Sequence, residues 1–508
     1  MIDRVGSNLA AQLFTQALAF VDRFILVGLL VRAWGPWLYS DWVVLGAAAG
    51  LLSIFEFGLG IYFGNAWQQA TATDERPRFV RLVKVSIACY LAIVGVLTFV
   101  TLTFVLLGEP TRVLAIQALP PSDTRLVFAL LAASSIISIL RGSISQVYRG
   151  VGQFARGTIV TAVPTALYLA GAVVAVPLGA SLVGLALLHV LCDVAGALYL
   201  VFDLRRRVPD LNLMPSYPRR EEATDILRFT RWNLVLMGAP VVLLHAPVLI
   251  LGFVGVTGGA LVGFVLLRTL ANYLRTVASL VSIATAVEMV ALLHKGASEQ
   301  LKGTLAMTGR AISALISAMC VGVLLLGRDF IVLWSGRRDL FDSSTMQLLL
   351  LSAVSAAVSG PLWSLFMLAN KPRPAAIAVL GQLGLTLAGC ALLASPLGIA
   401  GVAAALLAGE ILGSLVLVPM MGRHHFGIDL WRYLGACAVA GAAAASWSMM
   451  VLLVAIWLVG AQQPLGFVAC TIVFAAIGLT PVVLASLPRS TRILLMNRLG
   501  LSASRYAS

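Results

Sequence analysis

The chain has 508 residues, of which 60% are hydrophobic and only 11% are charged, and its mean hydropathy is +0.98. A water-soluble domain carries about a quarter charged residues, so this composition excludes a soluble fold and predicts a protein that lies in a lipid bilayer. The net charge of +14 is explained by basic loops on one side of that bilayer, and no nucleic-acid partner is predicted.

The apolar segments predict the secondary structure. Long continuous apolar runs favour helices over a closed barrel, because a helix satisfies every backbone amide within one segment. A spanning helix needs about 20 residues. In chain order the 14 predicted spans cover residues 8–31, 37–63, 83–107, 125–147, 157–178, 180–202, 233–254, 259–291, 311–327, 345–368, 375–394, 399–420, 433–459 and 465–486. The predicted fold is an all-α polytopic membrane protein.

Lys and Arg in the loops test this number of spans, because adjacent loops lie on alternating sides and the cytoplasmic side collects positive charge. With a cytoplasmic N-terminus, inside segments contain 25 of the 35 Lys and Arg residues and outside segments contain 6. The alternation predicts both termini inside, in a cell membrane such as the bacterial cytoplasmic membrane. The first span shows no small-residue cleavage signal, so we expect it to be retained.

The longest predicted inside loop, residues 203–233, lies between spans 6 and 7 and contains the triplet Arg205 to Arg207, three prolines and an amphipathic run. Its position predicts a linker between two pseudo-symmetric six-helix bundles, a plan that is common among transporters. The predicted domains are an N-terminal bundle, a cytoplasmic linker with an amphipathic helix, a C-terminal bundle, and spans 13 and 14 with a basic cytoplasmic tail. Their ranges are 1–202, 203–232, 233–420 and 421–508.

Several kinds of site are not predicted. All six cysteines fall inside apolar runs without CxxC spacing, which argues against a disulfide framework and a zinc site. The sequence has no glycine-rich GK[ST] phosphate loop, so we do not expect it to be the ATPase of an ABC transporter. It also lacks an Asp-x-Asp pair and a large outside domain, which weighs against a glycosyltransferase. We therefore expect neither a cofactor nor an enzymatic activity.

Span 8 carries the most informative polar residues, because charged groups within spans are costly in lipid and usually face a bundle interior or a watery cavity. Arg268, Asn272, Arg275 and Ser279 lie at i, i+4, i+7 and i+11, on one face of the helix. Two guanidiniums about 10 Å apart along the axis suit a diphosphate and its first sugar, because each offers a planar fork of donors. The alternative is that these arginines pair with buried acids or extend to the membrane surface.

Short motifs along nearly the whole chain resemble the polysaccharide and O-antigen flippases of the multidrug/oligosaccharidyl-lipid/polysaccharide (MOP) exporter superfamily. The motifs occur in the order of that family, and the chain departs from it at Asn65, where a basic residue is common. They are residues 52–60 (LSIFEFGLG), 226–229 (ILRF), 254–264 (VGVTGGALVGF), 331–336 (IVLWSG), 370–372 (NKP) and 397–403 (LGIAGVA). The resemblance implies a MATE-like arrangement of the two bundles.

The resemblance also directs attention to charged residues in spans 1 and 2. Related lipid-linked-sugar flippases place a charged site on their first helix, and here Arg23 follows Asp22 on a stripe with Gln12 and Gln16. An intrahelical or neighbouring salt bridge is the alternative. Glu56, within the family-like motif of span 2, is a candidate counter-ion, proton or sodium site. The acids Asp41, Asp193 and Glu410 and the histidine His189 are less favoured candidates.

The function implied is a non-enzymatic flippase that moves a polyprenyl-diphosphate-linked oligosaccharide, a polysaccharide or O-antigen precursor, across the membrane by alternating access. The expected partners are this anionic lipid-linked glycan, membrane lipids, and the glycan polymerase and glycosyltransferases of the pathway. A multidrug antiporter is an alternative and would favour cavity acids without arginines. A glycan polymerase or ligase is another, but the outside segments contain no histidine. The coupling ion stays open between a proton, sodium and the membrane potential alone.

Overall fold

The computed structural model describes residues 2–208, 214–369, 371–460 and 463–486. Helices make up 89% of the structure and the described residues contain no strand, which confirms the all-α prediction. Within these ranges, 12 continuous helical stretches are long and apolar enough to cross a membrane. Residues 209–213 of the predicted linker and the basic tail from residue 487 lie outside the described part of the chain.

Two of the 12 stretches are too long for one crossing. At 1.5 Å per residue, the 67 residues of Gly6–Ala72 would extend about 100 Å, three times the hydrocarbon thickness. Gly35, with a φ of 70°, interrupts this stretch, and Gly398, with a φ of 56°, interrupts Pro372–Phe426. Glycine adopts this left-handed backbone without the steric cost that a side chain would bring. Dividing both stretches at these breaks turns the 12 into 14 spans, as predicted.

The chain divides into two compact units, Met1–Val262 and Gly263–Ser508, with the division falling inside a helix. The α-helices that lie wholly in the first unit are α1 (Ile2–Phe20), α2 (Val27–Gly50), α3 (Leu59–Ala72), α4 (Arg76–Leu107), α5 (Pro110–Val113), α6 (Pro121–Gly150), α7 (Phe154–Ala175), α8 (Leu182–Arg207) and α9 (Arg220–Phe253). A π-helical turn, Val21–Leu26, joins α1 to α2, and α2 continues into a 3-10 segment, Leu51–Glu56. The predicted domain boundaries stay a prediction.

The second unit contains most of α10 and all later helices. They are α10 (Gly258–His294), α11 (Ser298–Ser335), α12 (Ser343–Leu368), α13 (Pro372–Glu410), α14 (Val418–Phe426), α15 (Leu430–Val459), α16 (Pro464–Val473) and α17 (Thr480–Ser486). Two further π-helical segments, Ile411–Leu417 and Phe474–Leu479, connect α13 to α14 and α16 to α17. Helices α15 to α17 match predicted spans 13 and 14, and they pack against α11.

Several helices continue beyond the predicted spans. α9 begins at Arg220, 13 residues before predicted span 7, so the amphipathic run of the linker forms the first turns of that helix. Hydropathy identifies only the part of a helix that suits lipid, whereas backbone hydrogen bonding continues through the charged residues that follow. Arg81 of α4 donates from Nε and Nη2 to both carboxylate oxygens of Glu222, at 2.6 and 2.7 Å, and ties this extension to the bundle.

An aromatic core holds α3, α4 and α6 together in the first unit. Phe63, Trp67, Phe79 and Tyr148 are almost completely buried. The Trp67 ring lies 5.8 Å from that of Phe63 and 6.4 Å from that of Phe79, distances typical of favourable aromatic pairs. This core fixes the C-terminal end of α6, the helix that carries Gln146 and Arg149.

Candidate functional site

A cavity of about 360 Å³ lies in the first unit, where α1, α6 and α7 pack together. Asp22 and Arg23 line it from the π-helical turn, Gln146 and Arg149 line it from α6, and threonines line it from α1 and α7. This cavity is thus built from helices of one unit only. It brings the predicted pair in span 1 together with Arg149, which loop-charge counting had placed in a predicted inside loop.

The ends of α6 and α7 approach closely because Gly157 has no side chain. A Cβ atom at Gly157 would lie 2.8 Å from Cβ of Tyr148, a separation that packed side chains do not show. The hydroxyl of Tyr148 donates to the carboxylate of Asp203, and Arg156 donates from Nε to the same carboxylate at 2.9 Å. These contacts join α6, α7 and α8 at one end of the cavity.

The π-helical turn shapes the wall contributed by span 1. Such turns are rare and often occur at functional sites, since they change which side chains face inward. Asp22 and Arg23 are both exposed and line the cavity. Thr15 lines the cavity with them, seven residues before Asp22 and therefore on the same face. The predicted stripe of span 1 contained Gln12, Gln16 and Arg23. In the structure the cavity is lined by Thr15 and Asp22, each one residue before a member of that stripe, and neither Gln12 nor Gln16 lines it.

The charged residues of the cavity differ from Arg141 and Arg275 in their hydrogen bonding. Within the described ranges, the side chains of Asp22, Arg23 and Arg149 form no hydrogen bond. Two guanidiniums and one carboxylate give the cavity a net positive charge with open donors. These donors are available to an anion.

A second arginine of α6, Arg141, is instead paired with an acid. It donates from Nη1 to Oδ1 of Asp193 at 2.7 Å, and Ser134 donates to the other oxygen. Nε2 of His189 lies 3.7 Å from Asp193, and its ring stacks on Tyr168 with centroids 4.3 Å apart. Arg141 and Asp193 are 9% and 3% exposed, so the pair is closed to solvent. Sequence reasoning missed Arg141, although it is one of five arginines that fall within the predicted spans.

The structure also pairs Arg275 of the predicted span 8 face. It donates from Nη1 to Oε2 of Glu410 at 2.7 Å and from Nη2 to the hydroxyl of Ser352. Glu410 also accepts from Nε2 of Gln382 at 2.9 Å and from the hydroxyl of Ser414. Sequence analysis left open a substrate role or a pairing with a buried acid, and the structure shows the pairing.

The other members of that face differ in burial. Arg268 is 8% exposed, and its guanidinium carbon lies 5.7 Å from the centroid of the Phe264 ring. Asn272 is half-buried and Ser279 is exposed. A substrate role for Arg268, Asn272 and Arg275 stays a prediction.

Glu56 caps a helix. The backbone turns left-handed at Phe57 and Gly58, with φ of 55° and 71°, so the single helix predicted over residues 37–63 is wrong at this point. The Glu56 carboxylate accepts from the backbone N–H groups of Gly58 at 2.9 Å and Gly60 at 2.6 Å. It also accepts from the Tyr90 hydroxyl at 3.0 Å. These bonds satisfy N–H groups that the start of α3 would otherwise leave open.

Asp41 likewise serves the backbone. It is 2% exposed, and its carboxylate accepts from the N–H groups of three consecutive loop residues. These are Gln117 at 3.2 Å, Ala118 at 2.8 Å and Leu119 at 3.0 Å. Asp41 therefore has a structural role in holding the loop before α6. Its predicted role as a counter-ion or ion site stays a prediction.

Comparisons with known proteins identify the fold. No protein-family model and no curated protein matches the sequence. The structure is similar to an inward-facing multidrug resistance MATE family transporter of the MOP superfamily, with a TM-score of 0.68, 16% identity, and coverage of 82% of this chain and 98% of that one. It is also similar to the lipid II flippase MurJ in an inward closed conformation, with a TM-score of 0.68, 12% identity, and coverage of 97% and 99%. An outward-facing MATE transporter gives a TM-score of 0.57 at 15% identity over 84% of this chain and 95% of that one. The chain therefore has the fold of the MOP superfamily transporters.

Proposed function

We propose that the protein is a membrane flippase that moves the diphosphate headgroup of a lipid-linked glycan across the bilayer. The observation that carries this proposal is the cavity of the first unit, where the guanidiniums of Arg23 and Arg149 form no hydrogen bond among the described residues. A guanidinium within a predicted span, such as that of Arg23, is costly and functional by default, and the forks of donors of both arginines suit phosphate oxygens. A volume of about 360 Å³ lies within the range of small-ligand sites.

The extent of the structural likeness supports a lipid-linked substrate over a free drug. The inward-facing MATE transporter covers 82% of this chain, whereas the lipid II flippase covers 97%. Nearly all of each solved chain is included in both cases. The flippase likeness thus extends over a part of this chain that the drug-transporter likeness leaves uncovered.

The chemistry of such a substrate fits transport of the headgroup alone. Withdrawing an acyl or prenyl chain from lipid costs about 0.8 kcal/mol per CH₂, so the tail stays in the bilayer while the headgroup crosses. Arg23 and Arg149 replace water around the phosphates during that crossing. An inside-negative membrane potential favours outward movement of the anion, by about 2.3 kcal/mol per elementary charge per 100 mV. Alternating access supplies the route.

Flipping in proteoliposomes tests the proposal. The probe is a fluorescent polyprenyl-diphosphate disaccharide, whose arrival in the opposite leaflet is followed by quenching. Loss of one charge-assisted hydrogen bond costs about 1.5–3 kcal/mol, so we expect R23A/R149A to slow flipping by at least about 100-fold. The matched control R205A/R228A removes two exposed arginines that lie outside the cavity and should flip at the wild-type rate.

Two outcomes contradict the proposal. Undiminished flipping by R23A/R149A would sink the assignment of the cavity. Extrusion of a cationic dye by the wild-type protein, with no movement of the lipid-linked sugar, would establish the multidrug antiporter instead.

A further inference from the structure

The cavity of the first unit is lined by three threonines whose hydroxyl protons are already used. Thr15 of α1 donates to the carbonyl oxygen of Ala11 at 3.0 Å, and Thr158 of α7 donates to that of Phe154 at 3.1 Å. The hydroxyl of Thr161 donates to carbonyl oxygens of the preceding turn at 2.9 and 3.0 Å. A hydroxyl has one proton and two lone pairs, so what remains for a ligand is acceptor capacity.

These threonines form one wall. Thr158, Thr161 and Thr165 lie at i, i+3 and i+7, on one face of α7, and all three line the cavity. They extend over about 10 Å of helix axis. Thr15 adds a hydroxyl from α1, and Asp22, whose carboxylate only accepts when ionised, lines the cavity beside it. We call Thr15, Thr158 and Thr161, whose hydroxyl protons are used, the threonine wall. Thr165 forms no hydrogen bond among the described residues and keeps its proton, so it is not part of the wall.

The donors of the cavity come from other residues. Arg23 and Arg149 present guanidinium N–H groups, and Gln146 presents an amide. A ligand that satisfies the whole cavity must therefore bring acceptors to the arginines and donors to the threonine wall. A bare diphosphate satisfies only the arginines, since its ionised oxygens have no proton to donate.

We infer that the threonine wall is a sugar subsite, which accepts hydrogen bonds from hydroxyl groups of the first sugar of the glycan while the arginines hold the diphosphate. This inference rests on the proposed function and adds how the protein selects glycosylated lipids over lipid diphosphates that carry no sugar. Sugar hydroxyls donate in several directions and match a row of acceptors along one helix face.

Binding of two probes to protein in lipid nanodiscs tests the inference. The probes are polyprenyl diphosphate and polyprenyl-diphosphate disaccharide, and the variant is T15V/T158V/T161V, in which valine keeps the shape of threonine without its oxygen. We expect the variant to bind the disaccharide probe about 10- to 100-fold more weakly, because three hydrogen bonds are lost. Its Kd for polyprenyl diphosphate should stay unchanged.

Two controls isolate the acceptor oxygen. T15S/T158S/T161S keeps each hydroxyl and should retain the wild-type preference for the disaccharide probe. T285V removes a threonine of α10 that donates to Val281 in the same way at 3.1 Å but does not line the cavity, and it should change neither Kd. If the triple valine variant does not insert, T158V and T161V are measured singly, with about 2- to 10-fold weaker disaccharide binding expected for each.

The remaining outcomes overturn the inference. Equal weakening of both probes by the valine variants would make the threonine wall structural. Selective loss of binding to phosphatidylethanolamine vesicles would show that the wall accepts from an ammonium headgroup and not from a sugar. A wild-type protein that binds and flips neither probe contradicts the proposed function itself, whereas wild-type flipping with unselective variants contradicts only the sugar subsite.

Discussion

Arg275 of the second unit and the two cavity arginines of the first unit have opposite surroundings. In the second unit, Arg275 donates to Glu410 and Ser352, and Glu410 is filled by two further donors. In the first unit, Arg23 and Arg149 line a cavity without a hydrogen bond among the described residues. The same side chain thus completes a buried network at one place and offers open donors at the other. The residue type alone does not distinguish the two surroundings.

The difference has an energetic basis. A buried ion pair regains the cost of leaving water only if the geometry is good and further hydrogen bonds satisfy both ions, which the cluster around Glu410 provides. A guanidinium that lines a cavity keeps its donors available to water or an anion. We therefore expect substitutions in the two places to separate stability from transport.

The largest effect is expected at Glu410. E410A leaves the guanidinium of Arg275 without its acid and should lower the free energy of unfolding by about 3–5 kcal/mol. Replacing both ions with R275M/E410M removes the unpaired charge and should restore most of that stability. Unfolding in detergent, followed by circular dichroism, measures both variants.

The same variants decide the predicted substrate role of Arg275. If R275M/E410M is stable and flips the lipid-linked glycan, the pair serves the fold. If it is stable but inactive, Arg275 contacts the substrate, and the contrast between the two units fails.

Much of the fold follows from the sequence, because each span must by itself be long and apolar enough to cross the lipid. The 14 spans are a local property of apolar windows, and the breaks at Gly35 and Gly398 fall where predicted spans are separated. The amphipathic helix of the linker was predicted, but its continuity with span 7 in α9 was not, since hydropathy does not report how far a helix continues beyond the lipid.

The candidate site follows from the sequence only in part. Asp22 and Arg23 were identified from the family resemblance of span 1, but the partner of Arg275 is 135 residues away and no local pattern indicates it. Arg149 was counted with the loop charges, and its place at the cavity depends on how α6 packs against α7, which no local pattern indicates. Arg141 had a usable signal, because it lies inside a predicted span.

A smaller effect on stability is expected at Glu56. Like Glu410, its carboxylate oxygens already accept hydrogen bonds from other protein groups. E56Q keeps one acceptor oxygen and turns the other into a donor that faces an N–H group. We expect a loss of about 1 kcal/mol in unfolding free energy and flipping near the wild-type rate, measured in the same detergent and proteoliposome assays. A stable E56Q protein without flipping would return Glu56 to the predicted ion or substrate site.

The smallest effect on stability is expected from R23A/R149A, the double variant that should lose transport. Neither guanidinium donates a hydrogen bond within the described residues, so its removal leaves no buried acid unpaired. Substitutions of this kind usually change stability by less than about 0.5 kcal/mol. Removing two like charges from one cavity also relieves repulsion, which opposes any loss of packing. Unfolding of the double variant beside E410A makes the comparison direct. If R23A/R149A lowered the free energy of unfolding as much as E410A does, Arg23 and Arg149 would be needed for the fold. A loss of transport in the double variant would then no longer support substrate binding in the cavity.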